Sequence, residues 1–394
     1  MNPFSKTAIF TFFLAFASTS AIAQLPTTLD GWYKQGYDQI NKKQYDAAVI
    51  SFTECLKLNA RADGCFRGRA TANLLLNKNE LAKSDAEQAL AINPKDNISY
   101  TVRGDVYKRL GKFQEAVADY SSAIGIKPIA ALYYGRGSAY HSLKNYEAAI
   151  ADNTKALSLQ PDLTSAYGNR GDSYFAVGKY ELAVADYTKF ISSNPANIAR
   201  VYLERGRAHD RLDKDQEAIN DYTKAISHDP KYAWAYNNRG YIYEKQKKYD
   251  QAVADYSKAI ELDPKTPMFF RNRGALLDTQ EKYDAAITDL KKAIELDPKF
   301  AWAYNNLGNA YFDQKKYDEA TRNFEKAIDL DPKYSAAYHN LGLVFRDRKN
   351  FTAAVEKFSK SIELNDKYVN AYKQRGEAYK ELKKFDESLK ILLS

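Results

Sequence analysis

The sequence predicts an all-α fold, a tandem array of about eleven helix–turn–helix units. Two observations predict it. Glycines recur at a near-constant step: Gly206, Gly240, Gly274, Gly308, Gly342 and Gly376 are spaced by 34 residues, and Gly36, Gly68, Gly104, Gly137 and Gly171 continue the series backwards with steps of 32 to 36. The stretch between successive glycines also reads twice with helical period. In residues 301–334, Trp302, Tyr304, Leu307, Gly308 and Tyr311 recur at helical spacing in a first helix. Tyr317, Ala320, Phe324, Ala327 and Ile328 do so in a second, and Asp331-Pro332 closes the unit. A fixed period of this size marks stacked repeats, since one unit alone cannot bury its apolar face.

The chain begins with a segment outside this pattern. Lys6 precedes an apolar run from Ala8 to Ala17, and Ala21-Ile22-Ala23 supplies small residues at a cleavage site. Residues 1–23 therefore read as a secretory signal peptide, too short and wrongly flanked for a membrane span. Export to a secreted or periplasmic location is the expectation, with residues 24–28 as a short lead-in and no membrane insertion after cleavage. The formal charge of +8 becomes +7 once Lys6 is removed. The array occupies residues 29–394, with repeats starting near 29, 61, 97, 130, 164, 199, 233, 267, 301, 335 and 369.

Within each repeat the residue types are those that close packing demands. Gly at position 8 and Ala at position 20 let two helices approach, and aromatics at 4, 11, 17 and 24 fill the space around them. Position 20 is Ala from Ala48 through Ala354 and Ser388 in the last repeat. Proline at position 32 (Pro94, Pro128, Pro161, Pro195, Pro230, Pro264, Pro298 and Pro332) stops the second helix. Repeat 2 reads as carrying two extra residues in its inter-helix turn, between Leu74 and Glu80. The last repeat ends on Ile391-Leu392-Leu393-Ser394. That apolar end either finishes the core of repeat 10 or supports end-to-end self-association through residues 385–394.

These residues resemble the tetratricopeptide repeat (TPR), with an aromatic at position 4, Gly at 8, Tyr at 11, Ala at 20, an aromatic at 24, Ala at 27 and Pro at 32. The resemblance covers nearly all of the chain after residue 28. It implies a right-handed superhelical solenoid that serves as a non-enzymatic scaffold for protein or peptide partners.

One departure from the family pattern is the residue at position 7, where the family usually carries Leu. Here it is Arg67, Arg103, Arg136, Arg170, Arg205, Arg239, Arg273 and Arg375. Position 23 is Asp in the first seven of these repeats: Asp85, Asp119, Asp152, Asp186, Asp221, Asp255 and Asp289. Where position 7 is Leu307 or Leu341, position 23 is Asn323 or Lys357. The two positions switch together, which predicts Arg–Asp ion pairs between the two helices of one repeat, the guanidinium fork meeting a carboxylate. The alternative is a row of arginines open to an anionic ligand.

Cys55 and Cys65, the two cysteines of the chain, flank the turn from repeat 1 to repeat 2. In an oxidising compartment a disulfide is expected there, and two buried thiols are the alternative. Four scattered histidines lack paired spacing, so no metal site follows. No phosphate-cradling loop and no nucleophile elbow occurs. No catalytic residue and no cofactor is expected.

The first helix of each TPR supplies the concave face, at positions 2, 5, 6, 9, 12 and 13. Those positions sum to near neutrality in this sequence, so the excess of lysine falls in turns and after prolines, and nucleic acid is not the expected partner. Two features stand out on that face. Asn recurs at position 6, as Asn169, Asn238, Asn272, Asn306 and Asn340, with Asn237, Asn305 and Asn309 beside it; an amide row can hydrogen-bond an extended peptide backbone. Trp234, Met268 and Trp302 occupy position 2 of consecutive repeats, joined by Tyr241 and Phe312, and suit side-chain pockets. A protein segment laid along repeats 7 to 10 is the expected ligand. The alternatives are glycan stacking on the aromatics and an envelope assembly role through the apolar C-terminal helix.

Overall fold

The computed structural model describes residues 26–383. The signal segment 1–23 and the self-association segment 385–394 lie outside the described residues, which form 21 helices and no strand. No described helix is long and apolar enough to cross a membrane. The chain divides into two compact units, residues 1–169 and 170–394. The first contains α1 (Leu29–Asn41), α2 (Tyr45–Leu58), α3 (Asp63–Leu75), α4 (Asn79–Ile92), α5 (Asn97–Arg109), α6 (Phe113–Ile126), α7 (Ala130–Ser142) and α8 (Tyr146–Leu159). The division falls within α9 (Thr164–Ala176). The second unit contains α10 (Tyr180–Ile191), α11 (Ile198–Arg211), α12 (Asp215–His228), α13 (Ala233–Lys245), α14 (Tyr249–Leu262), α15 (Pro267–Thr279) and α16 (Tyr283–Leu296). It continues through α17 (Ala301–Asp313), α18 (Tyr317–Leu330), α19 (Ser335–Asp347), α20 (Phe351–Leu364) and α21 (Val369–Glu381).

Within each unit the helices alternate as first and second members of a hairpin, and the turn inside a hairpin is three residues long. Its middle residue is left-handed: Lys43, Asn77, Lys144, Asp213, Lys247, Glu281, Lys315 and Lys349 all have φ between 54° and 61°, and Gly111 and Gly178 take the same place. A left-handed residue just past the helix end lets the chain reverse and satisfies the last carbonyls. Packing is close between positions 8 and 24. A Cβ added to Gly308 would lie 2.5 Å from the Phe324 ring, and one added to Gly342 would lie 2.6 Å from Phe358. Both rings are fully buried, as are Tyr187, Tyr222 and Tyr256 at the same position.

Repeat 2 corrects the sequence reading. Helix α3 starts at Asp63, not near 61, and the turn Leu76–Lys78 has the same three residues as every other. There are no extra residues. Position 8 is Ala70, which is 34 residues from both Gly36 and Gly104, and Gly68 stands two places earlier at position 6. The misreading has a physical cause. Gly68 is small because the Phe52 ring of repeat 1 lies against it, whereas Ala70 faces Ala86 at position 24 and no ring demands a glycine there.

Cys55 on α2 and Cys65 on α3 are joined in a disulfide with Cα atoms 6.3 Å apart. The bridge ties the second helix of repeat 1 to the first helix of repeat 2, inside a cluster with Ala48, Phe52 and Ala72.

Candidate functional site

Seven arginines make bidentate bonds to a largely buried aspartate sixteen residues on. In the first unit these are Arg69–Asp85, Arg103–Asp119 and Arg136–Asp152; in the second, Arg170–Asp186, Arg205–Asp221, Arg239–Asp255 and Arg273–Asp289. All have N···O distances of 2.6–2.9 Å. The hairpin sets the offset, because two helices joined by a constant turn always bring the same two positions opposite each other. The partner of Asp85 is Arg69 and not Arg67. Arg67 instead donates to the Tyr33 and Tyr37 hydroxyls at 2.8 and 3.1 Å and pairs with Asp96 at 3.4 Å.

A further layer escaped the sequence reading. In Arg69, Arg136, Arg205, Arg239 and Arg273 the third nitrogen reaches back to a hydroxyl at position 25 of the preceding repeat, on Thr53, Ser121, Thr188, Thr223 and Ser257 respectively, at 2.9–3.2 Å. Each of these five guanidinium groups thus links two repeats while holding one carboxylate. The signal was present as Ser or Thr at position 25. With its donors so engaged, the arginine row is not open to an anion.

The asparagines sort into two roles. Asn272 donates to Asn237 at 2.8 Å, and Asn340 donates to Asn305 at 3.0 Å and to Asn309 at 2.9 Å. Asn237 also donates to Asn238, at 3.1 Å. The position 6 amide of one repeat therefore bonds the position 5 amide of the repeat before. Asn237, Asn305 and Asn306 are buried, which corrects their placement on a ligand-facing surface. At Asn237 and Asn305 burial follows from the repeat spacing, since the next first helix covers position 5. Asn169 belongs to the first unit and accepts a bond from Asn153 at 2.6 Å. Asn238, Asn272, Asn309 and Asn340 keep partial exposure.

The aromatics are the accessible part. Trp234 and Trp302 are 42% and 47% exposed and Tyr241 is 47% exposed, whereas Met268 and Phe312 are half-buried. Trp234 meets Phe269 edge-on at 4.9 Å between ring centroids. One face of Trp302 carries the Arg271 guanidinium, 5.4 Å from the ring centre. Phe312 packs on Tyr317 of its own repeat.

Beside Trp234 the second unit has a cavity of about 460 Å³, lined by Leu203, Glu204, Arg207, Tyr232, Trp234 and Asn238. Leu203, Glu204 and Arg207 come from α11, whose residues the sequence reading did not place in the site. Arg207 donates to Glu204 at 2.8 Å and lies 4.8 Å over the Phe175 ring. Burial holds the Glu204 carboxyl above its ordinary range, against the lowering effect of Arg207. A larger cavity of about 560 Å³ lies at the Asn194–Asn197 loop and the start of α11, where the extra residue of the 35-residue step sits. It contains none of the candidate aromatics. At the other end of the first helices, the Asp278 carboxyl is pushed up to about 7 by burial and by the charge of Asp313.

Comparison with known proteins follows the repeat boundaries. The family described as Tetratricopeptide repeat matches residues 29–61, 99–129, 130–163, 169–226, 233–266, 301–334 and 335–368, and the description TPR repeat matches 206–247 and 279–315. The chain is 34% identical over 94 residues to Small glutamine-rich tetratricopeptide repeat-containing protein 2 of Mycosarcoma maydis, covering 24% of this chain and 27% of that one. It is 29% identical over 94 residues to Protein STIP1 homolog of Dictyostelium discoideum, covering 24% and 17%. It thus spans about a quarter, or less, of the length of these relatives. Among solved structures, YrrB, described as a TPR protein with an unusual peptide-binding site, aligns with 25% identity and a TM-score of 0.38 over 47% of this chain and 95% of its own. Yeast Tom70 aligns with 18% identity and a TM-score of 0.47 over 92% and 90%. Matches that together run over most of residues 29–368, on a backbone of uniform three-residue hairpins, make this chain a member of the tetratricopeptide repeat family.

Proposed function

We propose that this chain is a non-enzymatic scaffold that holds a segment of a protein partner against the first helices of its second unit. The observation that carries the reading is the pairing of exposed aromatics with a firm support. Trp234, Tyr241 and Trp302 stay open to solvent while the asparagines beneath them bond one another from repeat to repeat. A preformed surface loses little freedom when a ligand settles on it, so modest contacts add to useful affinity. Extended and helical segments both suit such a surface.

The reading includes export. Residues 1–23 carry the pattern of a signal peptide, and the Cys55–Cys65 bridge suits an oxidising compartment. Glycan stacking is the second reading, favoured by the exposure of Trp234, and weakened at Trp302 by the Arg271 that already lies over the ring.

The test is affinity capture from the secreted and envelope fractions with wild type and with Trp234→Ala/Trp302→Ala, folding being checked by circular dichroism. A protein retained by wild type and lost by the variant supports the reading. Retention of the same protein by both would overturn it. Elution by soluble oligosaccharide with no protein retained would favour the glycan reading.

A further inference from the structure

Repeats 7 and 9 of the second unit are near copies two periods apart. Residues 233–240 read AWAYNNRG and residues 301–308 read AWAYNNLG, 68 positions apart. The same offset relates Leu203 to Arg271, Glu204 to Asn272, Tyr232 to Phe300, Trp234 to Trp302, Asp210 to Asp278 and Lys245 to Asp313. The copies differ in where the chain places its own cations: over the tryptophan in the second, and on Glu204 but not over the tryptophan in the first.

At the tryptophan, the second copy supplies its own. Arg271 lies 5.4 Å over Trp302 and donates from Nη1 to Asn272 at 3.0 Å. In the first copy Leu203 stands where Arg271 would be, and the space beside Trp234 is the cavity of about 460 Å³. The acceptor at its wall is now Glu204, a carboxylate in place of the Asn272 amide. Arg207 is bonded to one oxygen of Glu204 and stacked on Phe175. An aromatic face and an acceptor are arranged in both copies in the way that holds a guanidinium in the second.

At the far end of the helices the difference is reversed. In the first copy the Lys245 ammonium lies 3.2 Å from Asp210 and 2.8 Å from Asp215. In the second copy Asp313 replaces that lysine opposite Asp278, whose Oδ1 is buried without a hydrogen-bond partner. A carboxylate pair in this position is relieved by a proton on Asp278 or by a cation from outside the chain.

We infer that the bound protein segment is basic and sets an arginine side chain into the cavity between Trp234 and Glu204, as Arg271 is set against Trp302. This rests on the protein-segment reading proposed above. Arginine suits the cavity better than lysine, because its planar head can stack on the indole while its fork reaches the carboxylate.

The test uses the full chain and three capped peptides of alternating residues: arginine with alanine, citrulline with alanine, and glutamate with alanine. Titration calorimetry gives affinity and stoichiometry. The arginine peptide should bind at least tenfold more tightly than the citrulline peptide, which has the same shape without the charge. Leu203→Arg, which places in the first copy what the second already carries, should weaken binding at least tenfold. Trp234→Ala, at an exposed position, should do likewise and covers the case in which Leu203→Arg does not fold. Arg271→Leu, which frees Trp302 but leaves the neutral Asn272 amide as acceptor, should add a second, weaker site. Equal binding of the citrulline peptide, or unchanged binding by a folded Leu203→Arg or by Trp234→Ala, would overturn the inference. If the partner captured by wild type and lost by the tryptophan variant is not displaced by the arginine peptide, the scaffold reading stands and the basic ligand is wrong.

Discussion

Repeats 6 to 8 and repeats 9 and 10 solve the same interior problem in different ways. In the earlier repeats Arg205, Arg239 and Arg273 each hold an aspartate and a hydroxyl from the repeat before. In the later ones Leu307 and Leu341 occupy position 7, 4% and 2% exposed, and position 23 is Asn323 or Lys357. The backbone is unchanged: each hairpin keeps a thirteen- or fourteen-residue first helix and the same turn. A paired charge and an apolar side chain are therefore interchangeable as units, while half of either is not. That is the expected behaviour of a desolvated ion pair, whose attraction roughly offsets the loss of hydration.

The sharpest way to break this equivalence is to remove one partner. Asp255→Ala leaves Arg239 half-buried with only Thr223 to bond, and should cost about 3 kcal/mol in urea unfolding, near the low end for buried pairs because Arg239 keeps some exposure. Converting repeat 7 wholly to the later pattern, with Arg239→Leu and Asp255→Asn together, should bring stability back to within ~1 kcal/mol of wild type. A double variant as unstable as Asp255→Ala would show that the pair, and not the filling of the space, sustains the hairpin.

A smaller effect separates the halves by pH. Asp278 and Asp313 face each other in repeats 8 and 9 where Asp210 and Lys245 attract in repeats 6 and 7. With its carboxyl pushed up to about 7, the folded chain keeps a proton that the unfolded chain releases above ~4. The stability this proton confers is complete at low pH and is lost as pH rises from ~4 to about 7. Asp278→Asn should therefore raise Tm at pH 8 by about 2 °C, the order expected for 1 kcal/mol in a chain of this size, and leave it unchanged at pH 4. The smallest expected change is at the turns. Lys315 adopts the left-handed conformation that Gly111 and Gly178 take without strain, so Lys315→Gly, after the entropy cost of glycine in the unfolded chain, should stabilise by about 0.5 kcal/mol in urea unfolding.

The architecture was legible because it repeats. An all-helical array of hairpins follows from glycine, alanine and aromatic residues returning every 34 positions, and the helices lie where that period places them. The one register error, at Gly68, arose because glycine marks closeness to a ring without saying which ring. Phe52 needs room both at position 8 of its own repeat and at position 6 of the next. The candidate site was less legible. Asn237 and Asn305 look like surface amides on a helical wheel, and they are covered because the following repeat places Asn272 and Asn340 over them. Arg271 looks like a surface charge, and it lies against a tryptophan that is 31 residues away in the chain.

By itself the sequence determined the helices, their hairpin turns and which positions face each other inside a hairpin. Those depend on helical period and on a turn of constant length, both local. Only the tertiary structure decided which amides are covered, which hydroxyl completes each arginine, and why Trp234 borders a cavity while Trp302 carries a guanidinium. Those outcomes depend on how one hairpin stacks on the next, where a single exchange such as leucine for arginine at position 5 changes what fills the space between them.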